Sequence, residues 1–187
     1  MNTPTHLIMG AALFSRAGDR GRTWGAIAGS FAPDLSLYLM ASVALAMGIP
    51  AGRVFGELYY SAAWQQVFAV DNSFVLWALA FAMAWWSGRG WAIAFTGAAL
   101  VHLAFDFPLH SHDARAHFWP LTDWKFISPI SYWEGEGGRL VGMLELALVV
   151  VLGAILLVRH SDWRARAGFV AIGAAQLAPA ILWPLLL

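Results

Sequence analysis

Residues 91–107 read WAIAFTGAALVHLAFDF, an apolar run whose only ionisable side chains are His102 and Asp106. A helix that crosses the hydrocarbon core of a bilayer needs about 20 largely apolar residues, so this run predicts a transmembrane helix. His102 and Asp106 are four residues apart, which places them on one face of that helix, near its end. Because ionisable groups inside such helices usually face a cavity or one another, the pair indicates a polar site within the bilayer.

The composition extends this interpretation to the whole chain. Of 187 residues, 60% are hydrophobic and only 12% are charged, with a mean hydropathy of +0.64. An ordinary globular domain is about 45–50% apolar, so the excess requires an apolar solvent. We therefore predict an all-α, polytopic transmembrane helical bundle of about five crossings, forming a single integral membrane domain over residues 1–187. The predicted crossings are residues 23–49, 72–87, 91–107, 139–158 and 167–187.

The remaining segments are predicted to lie outside complete crossings. Residues 6–15 are apolar but short enough to suggest a re-entrant or half-length helix, and the mixed polarity of residues 53–70 suits an interfacial helix. Residues 108–138 carry prolines and polar residues and predict an outer loop. Pro33 removes a backbone donor inside the first crossing, so we expect a broken helix whose second half begins at Asp34.

Charge and cysteine content exclude several functional classes. Eleven basic and eleven acidic residues give a formal net charge of zero, so no basic surface recommends nucleic acid as a partner. The absence of cysteine removes disulfides, iron–sulfur ligation, thiolate zinc sites and cysteine nucleophiles. Any metal would have to use histidine, carboxylate or water ligands.

The distribution of basic residues predicts the orientation. Alternating crossings put the basic residues of the short loops on one face, which the positive-inside rule assigns to the cytoplasm. The outer loop would then face the periplasm or exterior. The residues on the cytoplasmic face would be Arg16, Arg20, Arg22, Arg89, Arg159, Arg164 and Arg166.

Polar side chains from separate helices share one depth. Counted along each helix at about 1.5 Å per residue from the cytoplasmic arginines, they lie roughly 15–21 Å in. These side chains are His6, Asp34, His102 and Glu145. Singly, each could be a hydrogen-bonded packing residue or a helix cap. As a group they favour a shared site, and histidine with carboxylate is the ligand set that zinc or another divalent metal accepts without thiolates.

Some motifs resemble those of a known family. The segment Thr5-His6-Leu-Ile-Met-Gly10, the pair Pro33-Asp34, and His102-Leu-Ala-Phe-Asp106 followed by Phe118-Trp119-Pro120 are similar to the bacterial membrane-bound metal-dependent hydrolases, a domain of unknown function distantly like zinc-dependent phospholipase C. The resemblance implies a multi-pass protein of the bacterial inner (plasma) membrane. It also implies metal ligation by His6, Asp34, His102 and Asp106.

The chain departs from that family at two places. Leu35-Ser36-Leu37 follows Pro33-Asp34 where the family usually has a further Asp and His, and Asp71-Asn72-Ser73 stands in place of a His-rich segment. The chain could keep a mononuclear site completed by histidines of the outer loop, namely His110, His112 and His117. Alternatively, it could have lost catalysis and kept the scaffold.

Two classes of function follow from these observations. The leading hypothesis is a membrane-embedded hydrolase of an ester or phosphodiester in a lipid-like substrate, using a divalent metal such as zinc and Asp106 or His110 as general base. The lipid expectation rests on location, because a site in the outer half of the bilayer meets membrane lipid headgroups first. The alternative is a non-catalytic accessory or assembly subunit of a larger membrane protein complex. A transporter ranks lower, because no internal repeat is detectable.

Overall fold

The computed structural model describes residues 1–132 and 135–178. It is 74% helical, and the described residues contain no strand, so the predicted all-α bundle is confirmed. The helices are α1 (Thr3–Phe14), α2 (Arg20–Phe31), α3 (Leu35–Ala46), α4 (Ala51–Arg53), α5 (Ala62–Asp71), α6 (Phe74–Ser87), α7 (Gly90–Asp106), α8 (Gly135–Arg159) and α9 (Trp163–Ala175).

Four helical stretches among the described residues are long and apolar enough to cross a membrane. They are Arg20–Ala46, Ala62–Ser87, Gly90–Leu109 and Gly135–Arg159. The last of these begins at Gly135, so the predicted loop over residues 108–138 is shorter than expected and the helix longer. Of the fifth predicted crossing, α9 forms the first part, whereas residues 179–187 lie outside the described residues.

The predicted break in the first crossing is confirmed. A 3₁₀ turn over Ala32–Asp34 separates α2 from α3, with Pro33 at its start. Asp34 directly precedes α3 and leaves its side chain out of the helix cap. The carboxylate is therefore available to partners elsewhere in the bundle.

The predicted interfacial helix over residues 53–70 has a different form. Its first part is α4 and a π-helical turn at Val54–Leu58. Its second part is α5, which is separated from α6 only by Asn72 and Ser73. Helices α5 and α6 together are long enough to cross a membrane. Ser73 explains the interruption, because its hydroxyl accepts the Leu76 amide and begins a new helix.

Helix α1 lies inside the bundle, where it packs against α2, α7, α8 and α9. At its carboxyl end, the Arg22 side chain donates to the Phe14 carbonyl (3.0 Å) and Arg159 donates to the Ala12 carbonyl (2.6 Å). Carbonyls of a last helical turn have no partner within the helix, and cations there also suit the helix dipole. The half-length prediction for this segment is confirmed, with the added finding that neighbouring helices surround it.

Glycine allows α2 and α7 to pack at very short range. A β-carbon at Gly29 would lie 1.8 Å from the Phe95 carbonyl oxygen, and one at Gly25 would lie 2.4 Å from the Trp91 carbonyl oxygen. Small residues four apart let transmembrane helices approach backbone to backbone. This contact brings the end of α2 against the part of α7 that carries His102.

The outer loop folds back onto the junction of α5 and α6. The Phe74 amide donates to the His117 carbonyl (2.8 Å), and the Ser128 amide donates to the His110 carbonyl (2.9 Å). The Ser73 hydroxyl also donates to the Trp119 carbonyl. The loop is thereby held against the helix ends, and His110 is turned toward α7.

Candidate metal centre

Asp106 is the centre of a buried cluster of histidine and carboxylate side chains. Its Oδ1 lies 2.9 Å from His6 Nε2, and its Oδ2 lies 3.2 Å from His102 Nε2 and 3.2 Å from His110 Nε2. The amino group of Met1 also contacts Oδ1. Helices α1 and α7 and the outer loop therefore each bring a histidine to one carboxylate.

The ring of His102 has a fixed orientation. Its Nδ1 donates to the Ser30 carbonyl oxygen (2.7 Å), so the neutral ring has a lone pair at Nε2. That nitrogen is buried and has no hydrogen-bond partner among the described residues, although Asp106 Oδ2 and Asp34 Oδ1 lie 3.2 and 3.7 Å away. A lone pair facing carboxylate oxygens is repulsive unless a cation or a proton lies between them.

The His6 ring stacks on the His102 ring, with centroids 3.7 Å apart and planes 13° from parallel. Two positively charged rings at this separation would repel each other strongly in a buried site. Protonating both histidines is therefore a poor way to balance the carboxylates. A single divalent cation bound to one nitrogen of each ring would balance the carboxylates without that repulsion, together with the Met1 amino group that contacts Asp106.

Asp34 lies at the edge of this cluster. Its Oδ1 is 3.7 Å from His102 Nε2, and its Oδ2 accepts a hydrogen bond from the Thr3 hydroxyl at 2.5 Å. The tight metal-like grouping consists of His6, His102 and Asp106, whose ligand atoms all lie within 4.8 Å of one another. Asp34 is thus adjacent to the group, and one of its oxygens faces it.

His110 is held by a second carboxylate. Its Nδ1 donates to Asp113 Oδ2 (2.7 Å), while Nε2 faces Asp106. Burial alone would raise the pKa of Asp113, but the His110 contact outweighs it and lowers that pKa. Burial would likewise lower the pKa of His110, yet Asp106 and Asp113 raise it. A carboxylate at Nδ1 fixes the tautomer whose Nε2 can accept a proton or a metal.

The other loop histidines have separate surroundings. His112 is exposed and contacts the Ser111 hydroxyl. His117 is buried, with Nδ1 donating to the Asn72 carbonyl (2.8 Å), and burial lowers its pKa to about 4. Among the described residues, no hydrogen bond or ion pair joins His112 or His117 to Asp106, whereas His110 lies 3.2 Å from it.

Glu145 does not join the cluster, although its predicted depth matched. Its carboxylate accepts the Asn2 amide (3.0 Å), the Asn2 side-chain amide (2.7 Å) and the Gln176 amide (2.6 Å). These hydrogen bonds join the Glu145 carboxylate to the start of α1 and the end of α9. Its position therefore corresponds to the structural alternative for an intramembrane polar residue.

The donor set fits a small divalent ion. Zinc binds imidazole nitrogen and carboxylate oxygen at about 2.0–2.2 Å, which puts neighbouring donors of a tetrahedral site roughly 3.3–3.6 Å apart. The contacts of Asp106 Oδ1 with His6 Nε2 and of Oδ2 with His102 Nε2, at 2.9 and 3.2 Å, are somewhat shorter than that range, and one ligand atom from each of the three residues lies within 4.8 Å of the others. His6, His102 and Asp106 would hold the ion, and Asp34 or His110 could complete its coordination.

A cavity of about 460 Å³ opens beside the cluster. Asp34, Asp106 and His110 reach it from the cluster side, whereas Leu37 and Phe55 are among its apolar lining residues. A cavity of this size accommodates a small organic ligand or part of a lipid. The cluster therefore has a space in which another molecule could meet it.

Sequence reasoning overlooked Arg115 and Tyr59, which also line this cavity. Tyr59 is far from the cluster residues in sequence, and a single loop arginine such as Arg115 carries no local pattern that predicts burial. Ser30 was also not identified, because a backbone carbonyl that orients a histidine leaves no trace in residue type. For Arg115, the one sequence signal that could have indicated a place near the site is its proximity to Asp113 along the chain.

In comparisons with known proteins, the chain matches no family model, no curated protein and no solved structure.

Proposed function

We propose that this protein is a membrane-embedded, metal-dependent hydrolase of an ester or phosphodiester in a lipid-like substrate. His6, Asp34, His102 and Asp106 would hold the divalent metal, with zinc the leading candidate. The motifs that contain these residues resemble those of the bacterial membrane-bound metal-dependent hydrolases. On that resemblance we also propose that the protein lies in the bacterial inner membrane.

The observation that carries the proposal is the environment of His102 Nε2. This atom is buried, has no hydrogen-bond partner in the part of the chain that the structure describes, and lies 3.2 Å from Asp106 Oδ2 and 3.7 Å from Asp34 Oδ1. Buried polar atoms of proteins are nearly always paired, so an orphan among ligand-type groups needs an explanation. A bound cation supplies one.

Hydrolysis needs water to be activated and the substrate carbonyl or phosphoryl oxygen to be polarised, and both are what a divalent metal supplies when bound. His110 is positioned to take the proton of the attacking water at Nε2, because Asp113 holds its Nδ1 hydrogen. Asp106, the other residue predicted as general base, is surrounded by His6, His102 and His110. We therefore assign Asp106 as a metal ligand and His110 as the general base.

Elemental analysis of protein purified in detergent tests the metal. We expect about one divalent ion per chain, as in a mononuclear site, and a content near zero for His102→Ala. The matched control is His112→Ala, because His112 is an exposed histidine outside the cluster; this variant should retain the full metal content.

A wild-type protein without metal, or equal metal in His102→Ala and wild type, would refute the proposal. In that event the accessory-subunit alternative gains support if native extraction returns the chain in a fixed ratio with other membrane proteins. Loss of that ratio on mutation of His6 or Asp34, with no change in any turnover, would identify the polar cluster as an assembly feature.

A further inference from the structure

Arg115 is a buried cation that the metal site does not use. It is 6% exposed, and its guanidinium carbon lies 4.1 Å from the centroid of the Phe68 ring and 4.8 Å from that of Tyr59. Nη2 donates to the Tyr59 hydroxyl (2.6 Å). The two rings and this hydrogen bond hold the planar group in one orientation.

The guanidinium has no direct anionic partner within the described part of the chain, although the Asp113 and Asp71 carboxylates lie close enough to interact with it at longer range. Its Nη1 is buried and has no hydrogen-bond partner, and no carboxylate there forms a salt bridge with it. A buried charge is costly unless it is paired and hydrogen-bonded. An anion that hydrogen-bonds to the guanidinium would lower that cost.

Arg115 opens onto the same cavity as the metal cluster. A chain of contacts joins the two sites: His110 Nδ1 donates to Asp113 Oδ2 (2.7 Å), the Tyr59 hydroxyl lies 3.5 Å from the same oxygen, and Arg115 donates to that hydroxyl. A ligand in this cavity can therefore contact the guanidinium and the cluster at once.

Part of the remaining cavity lining is an apolar wall that includes Leu37, Ala41 and Phe55, and polar residues such as Asn2 and Asn72 line other parts of it. A ligand that fits both walls has an anionic group and an alkyl chain. Guanidinium groups match phosphate oxygens in geometry and charge, which makes a phosphate ester the best match among anions.

We propose that Arg115 binds the phosphate group of an alkyl phosphate ester, whose chain lies along the apolar wall while its phosphate faces the metal cluster. This inference rests on the proposed function, because Asp34 and Asp106 also face the cavity and would repel an anion unless the metal balances them. It narrows the substrate from esters in general to phosphate esters with an alkyl chain.

Binding measured by calorimetry on the full chain, purified in a neutral detergent and with its metal content determined, tests this inference. The probes are decyl phosphate, uncharged decanol and inorganic phosphate. We expect decyl phosphate to bind more tightly than decanol or inorganic phosphate. Only decyl phosphate has both an anionic group for Arg115 and an alkyl chain for the apolar wall. Equal binding of decyl phosphate and decanol would overturn the proposal, and that comparison needs no variant.

Substitution then assigns the anion to Arg115. In Arg115→Met, which keeps the stem and removes the charge, we expect binding of decyl phosphate to weaken by about 10- to 100-fold, as for loss of a charged hydrogen bond, with metal content unchanged. Arg115→Lys should lie between the two, because it keeps the charge without the planar fork. Arg53→Met is the matched control, since Arg53 is an exposed arginine paired with Glu57, and it should bind like wild type.

Each failure has a distinct signature. Unchanged binding in Arg115→Met with the metal retained overturns the role of Arg115 and leaves the metal proposal intact. Inorganic phosphate binding as tightly as decyl phosphate overturns the alkyl part and indicates a site for free phosphate. Absence of metal in the wild-type protein refutes the hydrolase proposal through the metal content itself and not through the binding data.

Discussion

The hydrogen bond from His102 Nδ1 to the Ser30 carbonyl determines which nitrogen of that ring is available. A histidine so held presents Nε2 in a fixed direction, which here is toward Asp106. Metal-binding histidines usually donate their other nitrogen to a carbonyl or carboxylate in this way. His110 has the corresponding arrangement with Asp113. The two rings differ in partner but present the same atom to the same carboxylate.

At this scale, the contact between Asp113 and His110 makes a testable prediction. Asp113→Asn can accept the same hydrogen bond through its amide oxygen but loses the negative charge that stabilises a protonated ring. We expect hydrolysis of the model phosphodiester bis(4-nitrophenyl) phosphate to fall by about 10²- to 10⁴-fold, the usual contribution of a general base. Metal content, measured on the same samples, should not change.

The control is Asp123→Asn, an exposed aspartate of the same loop, which should retain wild-type turnover. If Asp113→Asn instead lost its metal, His110 would be a ligand and the assignment of the proton to it would be wrong. If neither turnover nor metal changed, the contact with Asp113 would have only a packing role.

At the scale of the helices, the candidate metal centre depends on how closely α2 approaches α7. Ser30 and Asp34 reach His102 only because Gly25 and Gly29 let the two backbones come together. We therefore expect these glycines to influence the cluster indirectly, through the packing of α2 against α7.

Gly29→Ala tests this dependence. Its β-carbon would lie 1.8 Å from the Phe95 carbonyl oxygen, which is backbone and cannot rotate away. Forcing the helices apart should cost about 1–3 kcal/mol or more of folding free energy. We expect a lower thermal unfolding midpoint in detergent together with a reduced metal content.

Gly153→Ala provides the comparison within α8, since a β-carbon there meets no atom within 4 Å. Replacing an unhindered helical glycine by alanine stabilises a helix by up to about 1 kcal/mol, so its midpoint should be equal or higher. An unchanged midpoint for Gly29→Ala would show that the α2–α7 contact tolerates separation, contrary to the close packing described.

At the scale of the molecule, the arginines of the short loops and the Asp106 cluster lie toward opposite ends of α1. Arg22 and Arg159 bind carbonyls of its last turn, whereas His6, near its beginning, contacts Asp106. An arginine-rich end is expected on the cytoplasmic side. We therefore expect the cluster and the outer loop to be nearer the opposite face.

Cysteine labelling in intact cells tests this orientation, and the chain has no native cysteine to interfere. Single cysteines replace the exposed residues Asp123, in the outer loop, and Ser161, between α8 and α9. A membrane-impermeant thiol reagent should label Asp123→Cys from outside, and Ser161→Cys only after the cells are opened. The reverse pattern would invert the topology and remove the argument that the site meets outer headgroups.

The sequence by itself predicted a helical bundle with helices able to span a membrane, because an apolar run of spanning length can satisfy its own backbone hydrogen bonds in a bilayer as a helix. It also determined the break at Pro33, since a missing donor is a property of that residue alone. His102 and Asp106 were placed on one face by helical periodicity, which is local as well. The depth count correctly selected His6 and Asp34 as neighbours of His102.

Only the tertiary structure decided which groups of equal depth meet. Glu145 has the right depth, yet it is bound by Asn2 and Gln176, because depth along a helix says nothing about rotation around its axis. Arg115 and His110 reach the cavity through the fold of a loop, whose path depends on contacts with α5 and α6 rather than on periodicity. The residue types of the site can thus be predicted from local sequence patterns. Which of those residues meet depends on packing between distant segments.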